Sequence, residues 1–136
     1  MNAAISVQKA IFDTLIGDQP LLSILGGRQV FDGVPDHSVF PYLVFSKIES
    51  DDWSTGTEAG EEHLIEIIAW SSAKGRKEVG VIVDAVKAAL KAMPKLIDGH
   101  HLINFTWETT TSNRTKDNRF FTASSTFRAV TEPITE

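Results

Sequence analysis

From Ile5 to Ile16 the apolar positions fall on one side of a helical repeat. Val7, Ile11 and Leu15 recur every fourth residue, with Ile5, Phe12 and Ile16 beside them. That spacing predicts an amphipathic helix of about three turns. Gly17-Asp18 ends it, and Pro20 cannot extend it. Leu21 to Leu25 predicts one further short turn before Gly26-Gly27, and Gln29 to Phe31 a short extended piece. Asp32-Gly33 and Pro35-Asp36 carry turn chemistry.

The period then changes from helical to alternating. Pro41 opens an aromatic and β-branched strand from Tyr42 to Glu49. Ser50 to Gly60 reads as a polar loop. A second strand is predicted from Glu62 to Trp70, where His63, Ile65, Ile67 and Ala69 alternate with Leu64, Glu66, Ile68 and Trp70. Both of its faces are largely apolar, which predicts a central strand covered at least partly on both sides. Ser72 to Met93 carries the strongest helix pattern, with Val79, Ile82, Val83, Val86, Leu90 and Met93 on one face. Val81, Ala85, Ala88 and Ala92 form a second stripe of small residues, for which the first helix is the simplest partner and a neighbouring subunit the other. Lys77, Asp84, Lys87 and Lys91 fill the polar sector, and Pro94 stops the helix.

Two more strands close the chain. His101 to Thr109 places Ile103, Phe105 and Trp107 on one face, and Phe120 to Thr131 does the same for Phe121, Ala123, Phe127 and Ala129. Thr110 to Asn118 reads as the hairpin connection between them. Hairpins before and after a helix predict an α+β domain with a mainly antiparallel sheet of four to five strands and two main helices on one face. Phe45, Ile67, Trp70, Val83, Val86, Leu90, Phe105 and Phe127 are the expected core.

Composition narrows the function. The 136 residues predict a single domain over 1–136. A net charge of −5 argues against a protein that coats DNA, which needs cationic surface to displace phosphate counterions. Cysteine is absent, which removes disulfides, thiolate metal sites and cysteine nucleophiles. No apolar run approaches a membrane span, and Met1 to Ala10 lacks the form of a secretory signal, so no membrane role is expected.

Catalytic patterns are missing as well. Lys74-Gly75-Arg76 does not complete a Walker loop, and neither a Gly-x-Ser-x-Gly elbow nor His-Glu-x-x-His occurs. His37, His63, His100 and His101 show no metal-pair spacing, and adjacent His100 and His101 on a strand would point to opposite faces. Asp51-Asp52 has the composition of a carboxylate pair, but a solvated loop accounts for it without catalysis. The expectation is no enzyme, no cofactor and no metal.

Two segments of opposite charge stand out. Glu49 to Glu62 holds Glu49, Asp51, Asp52, Glu58, Glu61 and Glu62, no Lys or Arg, and the aromatic Trp53. Arg114 to Arg119 holds Arg114, Lys116 and Arg119 against Asp117 alone. Two solvated hairpin tips would look the same. The sharper reading is a contact between copies, since a ring needs one patch to meet a different patch on its neighbour. Asp51, Asp52, Trp53 and Glu58 would supply one patch, or line a pore, and Arg114, Lys116 and Arg119 the other, with Trp53 as an apolar anchor.

The order of several short motifs resembles a known family. Arg28-Gln-Val-Phe-Asp-Gly-Val-Pro35, Phe40-Pro-Tyr-Leu-Val-Phe45, Ile67-Ile-Ala-Trp-Ser71 followed by Gly75, Ala88-Ala-Leu90 and Phe127-Arg-Ala-Val-Thr131 together resemble the tail completion, or tail terminator, family of tailed phages. Within it the pattern is most similar to the terminators of alphaproteobacterial gene transfer agents. Ser46 stands where many members carry glycine. The resemblance implies a ring, typically of six copies, at the tail top of a virion or gene transfer agent particle assembled in the bacterial cytoplasm. The ring would cap the tail tube, stop its polymerisation and meet the head-side connector or stopper protein. DNA would pass through the lumen without sequence-specific binding. A small α+β ligand-binding domain or enzyme, and a monomeric adaptor, are the alternatives the residues leave open.

Overall fold

The computed structural model describes residues 2–33 and 39–134. The turn expected at Pro35-Asp36, and His37, lie outside them.

Helix α1 (Ala3–Ile16) begins where the Asn2 side chain accepts a hydrogen bond from the Ala4 N–H at 2.8 Å. Its buried residues Val7, Ile11 and Leu15 are the line of every fourth residue. The expected short turn is a helix of its own, α2 (Gln19–Leu25), capped by Asp18 at one end and by left-handed Gly26 at the other. Strands β1 (Val30–Phe31), β2 (Tyr42–Asp52) and β3 (Glu61–Ser71) follow. Helix α3 (Lys77–Ala89) runs into a short 3₁₀ turn, Leu90–Ala92. Strands β4 (Leu96–Ile97), β5 (His100–Arg114) and β6 (Phe121–Pro133) complete the chain.

The six strands form one sheet in the order β1-β2-β3-β6-β5-β4. Among the described residues only β1–β2 is parallel. The architecture is thus the expected α+β one, with six strands in place of four to five and three α-helices in place of two among the described residues. The added strands β1 and β4 have two residues each, too short for alternation to register.

One phase of the strands builds the core with the helices. Phe45, Ile65, Ile67, Ala69, Ala123, Phe127 and Ala129 pack with Val7, Ile11, Leu15, Val79, Ile82 and Val86 in one buried cluster. Each fully buried Val, Leu, Ile or Phe among them contributes about 1.5–3 kcal/mol by leaving water, and each alanine less. The alternate positions of β3 (Leu64, Glu66, Ile68 and Trp70) are half-buried, as expected for a central strand. On that second face Tyr42 stacks on Trp70, ring centroids 6.1 Å apart, and Glu66 bridges the hydroxyls of Ser46 and Ser124. These two hydroxyls, Ser46 first, hold the Glu66 carboxyl below its usual range.

Several expectations are corrected. Helix α3 starts at Lys77, not Ser72, because Gly75 takes φ +103° and Ser71 Oγ accepts from the Ala73 N–H while donating to Glu78 Oε1. β2 runs on to Asp52, so the loop expected from Ser50 is shorter, and β5 runs on to Arg114, which shortens the connection expected from Thr110. Ile103 borders the same α3-side groove as Phe105, but it stands outside the regular pairing of β5. It is the extra residue of a bulge between Leu102 and Asn104, which leaves it 55% exposed while Leu102 is buried. Of the expected core, Trp70, Val83 and Phe105 are half-buried. The first helix does not cover the small stripe of α3, where Val81, Ala88 and Ala92 are exposed. Ser46 is the extra residue of a second bulge, in β2, and that bulge lets Phe45 and Ile48 both face the core.

Candidate interaction surface

The strand registers place the two charged segments at opposite ends of the sheet. Glu61 pairs with Thr131 at one end of β3, and Ser71 pairs with Phe121 at the other. The acidic turn therefore projects beyond the first end and the basic hairpin beyond the second. At about 3.3 Å per residue, the eleven-residue β3 holds them roughly 33 Å apart. Asp51, Asp52, Trp53 and Glu58 come together at one end, Arg114, Lys116 and Arg119 at the other, and all seven are exposed. The two groups cannot meet within one chain.

The acidic turn is held by its own backbone. The Trp53 N–H donates to the Gly60 carbonyl at 2.9 Å, and the Thr55 N–H to the Glu58 carbonyl at 2.8 Å. A Cβ on Gly60 would sit 3.3 Å from the Trp53 carbonyl oxygen, tighter than an ordinary contact, so the turn leaves little room for a side chain there. Asp52 accepts from Ser54 Oγ at 2.6 Å and from the Ser54 N–H at 3.1 Å. These bonds, the hydroxyl first, hold its carboxyl below the usual range, so Asp52 is charged at neutral pH. Asp51, Asp52, Glu58 and Glu61 have no ion-pair partner among the described residues.

Sequence reasoning missed one member of this end. Arg128 places its guanidinium 5.0 Å from the centre of the Trp53 ring and bonds Glu62 through Nε at 2.5 Å. It fixes one face of Trp53 and leaves that side chain 54% exposed. No signal in the chain pairs residues 53 and 128. The β3–β6 register accounts for the Arg128–Glu62 bond, because Leu64 opposite Arg128 puts Glu62 on the adjacent diagonal.

The basic end is a tight hairpin. The Thr115 N–H donates to the Phe120 carbonyl at 2.9 Å, and Asn118 takes φ +60° at the tip. Asp117 accepts from Thr115 Oγ1 at 2.6 Å and from the Arg119 N–H at 3.1 Å, which lowers its pKa. The Arg119 guanidinium lies 5.3 Å from the Phe120 ring centre, and that of Arg114 lies 5.7 Å from Phe121. Phe120 in turn stacks on Phe40 at 4.7 Å, so two of the three cations rest on an aromatic base.

Among the described residues, the histidines form no cluster with metal-site geometry. His63 is wholly buried between the hydroxyls of Ser50 and Thr131, and no group of three or more His, Asp or Glu with metal-site geometry occurs among the described residues.

The comparisons agree with this architecture. Residues 9–132 match the family model described as tail completion protein gp17. A chain in the structure titled "Virion of native gene transfer agent (GTA) particle" superposes with a TM-score of 0.75 at 22% identity, covering 92% of this chain and 93% of that one. The structure of the bacteriophage SPP1 gp17 protein superposes with a TM-score of 0.62 at 21% identity, covering 98% of this chain and 92% of that one. None of the curated proteins matches. With the match running through all six strands, the chain belongs to the tail completion protein gp17 family.

Proposed function

We propose that this tail completion protein is a structural component of a phage-like particle, a gene transfer agent or a virion, in which copies close into a ring at the head-proximal end of the tail. The observation that carries the reading is the family match over residues 9–132. The whole of 1–136 acts as one tail-completion domain, and six copies complete the ring. The protein works by shape and contact, not by catalysis.

Stopping a polymer sets a physical requirement. One face of the ring must present what the last tube ring accepts, and the other must not repeat it. A closed ring with unlike faces meets this requirement, because it removes the template for another round of addition. The opposite faces receive different neighbours, the tail tube protein on one side and the head-side connector or stopper on the other. The placement of the Asp51–Glu58 turn and the Arg114–Arg119 hairpin at opposite ends of the sheet supports a molecule with two unlike contact surfaces. We assign Arg114, Lys116 and Arg119 to one of these faces, and Asp51, Asp52, Trp53 and Glu58, at the other end of the sheet, to the contact between copies. DNA passes through the lumen without sequence-specific binding, which suits a chain of net charge −5 that does not hold phosphates.

The test is electron microscopy of particles made with and without the gene. Tails of runaway or irregular length, left unjoined to heads, are expected in its absence. Joined tails of parental length would overturn the reading.

A further inference from the structure

A second charged feature lies away from both hairpins, between the end of α3 and the outer strand β5. Leu90, Phe105 and Trp107 form an apolar floor that continues past Met93 to Ile103. Lys87 and Lys91 rim one part and Lys95 the other. No Asp or Glu lines it, and none of the three lysines is in an ion pair among the described residues. The floor is ordered. Trp107 Nε1 donates to Thr110 Oγ1 at 2.8 Å, and Lys87 Nζ stands 3.7 Å from the centre of the indole. Trp107 is nevertheless 43% exposed and Ile103 55%.

One wall of this groove is an open sheet edge. β4 pairs only with His100 and His101 of β5, so from Ile103 onward the outer edge of β5 has no strand beside it among the described residues. Its outward N–H and C=O groups are free to bond an incoming chain.

We infer that this groove receives the acidic β2–β3 turn of a neighbouring copy, with Trp53 set on the apolar floor and Asp51, Asp52 and Glu58 facing Lys87, Lys91 and Lys95. The inference rests on the ring reading above and names the contact that would close it. Charge complementarity selects the occupant, since the turn carries four unpaired carboxylates beside one exposed tryptophan and the groove carries three unpaired cations around an aromatic floor. The basic hairpin fits the same turn less well. Asp117 sits among its cations and its Phe120 and Phe121 rings are covered by Arg119 and Arg114, whereas no acid lines the groove and Leu90, Phe105 and Ile103 leave an apolar floor beside the Lys87–Trp107 pair. Turn and groove also sit on different faces of the sheet, because Arg128, which holds Trp53, points away from the face on which Phe105, Trp107 and Phe127 meet α3. The contact is therefore head-to-tail between copies, the kind that generates a ring when its rotation closes.

The test is photo-cross-linking in assembled particles with a benzophenone amino acid in place of Trp53. The expected product joins position 53 to a peptide containing Lys91 or Trp107 of another copy. Particles that hold the chain at the head–tail junction but yield no such product overturn the groove contact and leave the terminator reading standing. This includes products at 114–119 or on a different protein. Particles from which the chain is absent overturn both. A charge exchange provides a second readout. Lys87→Glu with Lys91→Glu should lower the yield of joined particles by at least about tenfold, and adding Asp51→Lys with Asp52→Lys should restore it. A parental yield from the lysine variant, or no restoration, overturns the contact. All four positions lie outside the buried core, so the circular dichroism of the variants should match the parent.

Discussion

His63 Nε2 lies 2.9 Å from the Thr131 hydroxyl oxygen, inside a part of the protein that water does not reach. The other ring nitrogen, Nδ1, is 2.7 Å from Ser50 Oγ. A neutral imidazole offers one donor and one acceptor, and the two hydroxyls can complement either tautomer. The site thus satisfies the uncharged ring, and no carboxylate is hydrogen-bonded to it to hold the charged one. It also ties β2, β3 and β6 together at the end that carries the acidic turn.

This arrangement predicts an acid-sensitive fold. Burial lowers the His63 pKa below its ordinary 6.5, assisted by His100 and opposed by Glu61. Above that ordinary value both folded and unfolded chains hold a neutral ring, and stability does not change with pH through this group. Below it the unfolded state binds the proton first, so stability falls until the pH passes the lowered folded value. Thermal unfolding should show Tm dropping as pH goes from about 7 to about 5. His63→Gln should be less stable at neutral pH and flatter across that range. A parental Tm that is level over the window would refute the assignment.

Val86 is 3% exposed on the face of α3 that meets the sheet. Val86→Asp would place an unpaired carboxylate there, at a cost of about 3–5 kcal/mol. Chemical denaturation should show a loss of that size, whereas Ala88→Asp on the exposed side of the same helix should change stability little.

Gly26 ends α2 at φ +79° with nothing within 4 Å of the Cβ it lacks. Gly26→Ala should therefore cost only the left-handed backbone penalty, about 1 kcal/mol. Gly60 has an ordinary φ, so Gly60→Ala carries no such penalty, and its cost reads whether the Trp53 carbonyl, 3.3 Å from the new Cβ, can give by a few tenths of an ångström. Comparing the two melting curves separates backbone strain from steric closure of the acidic turn.

Arg114→Glu with Lys116→Glu changes two exposed cations on the basic hairpin. Stability should stay within about 0.5 kcal/mol of the parent, as for most surface changes. The yield of joined particles should fall. An unchanged yield would remove this hairpin from the contact surfaces.

The elements with a strong internal period were legible in the sequence. The line Val7, Ile11, Leu15 and the alternation His63, Ile65, Ile67, Ala69 each describe the buried side found in the fold. The ends of β2 and β5 were not legible, because Ser50–Asp52 and Thr110–Arg114 are polar and are made extended by the strands beside them. The bulge at Ile103 was also hidden, since one inserted residue shifts the inward phase without altering the alternation that precedes or follows it. The charged turns were visible as charge. Their separation depends on register, and the partners found by packing depend on tertiary approach. Lys87 and Lys91 read as the wet side of a helix, and only the placement of β5 turns them into the rim of a groove over Trp107.

The central claim is a closed ring at the top of the tail, and cryo-electron microscopy of the head–tail junction in intact particles tests it most directly. The account predicts a single ring of six copies of this fold between the last tube ring and the head-side connector, with the acidic turn of each copy against its neighbour. A junction without this chain, or copies distributed along the tube, would contradict it.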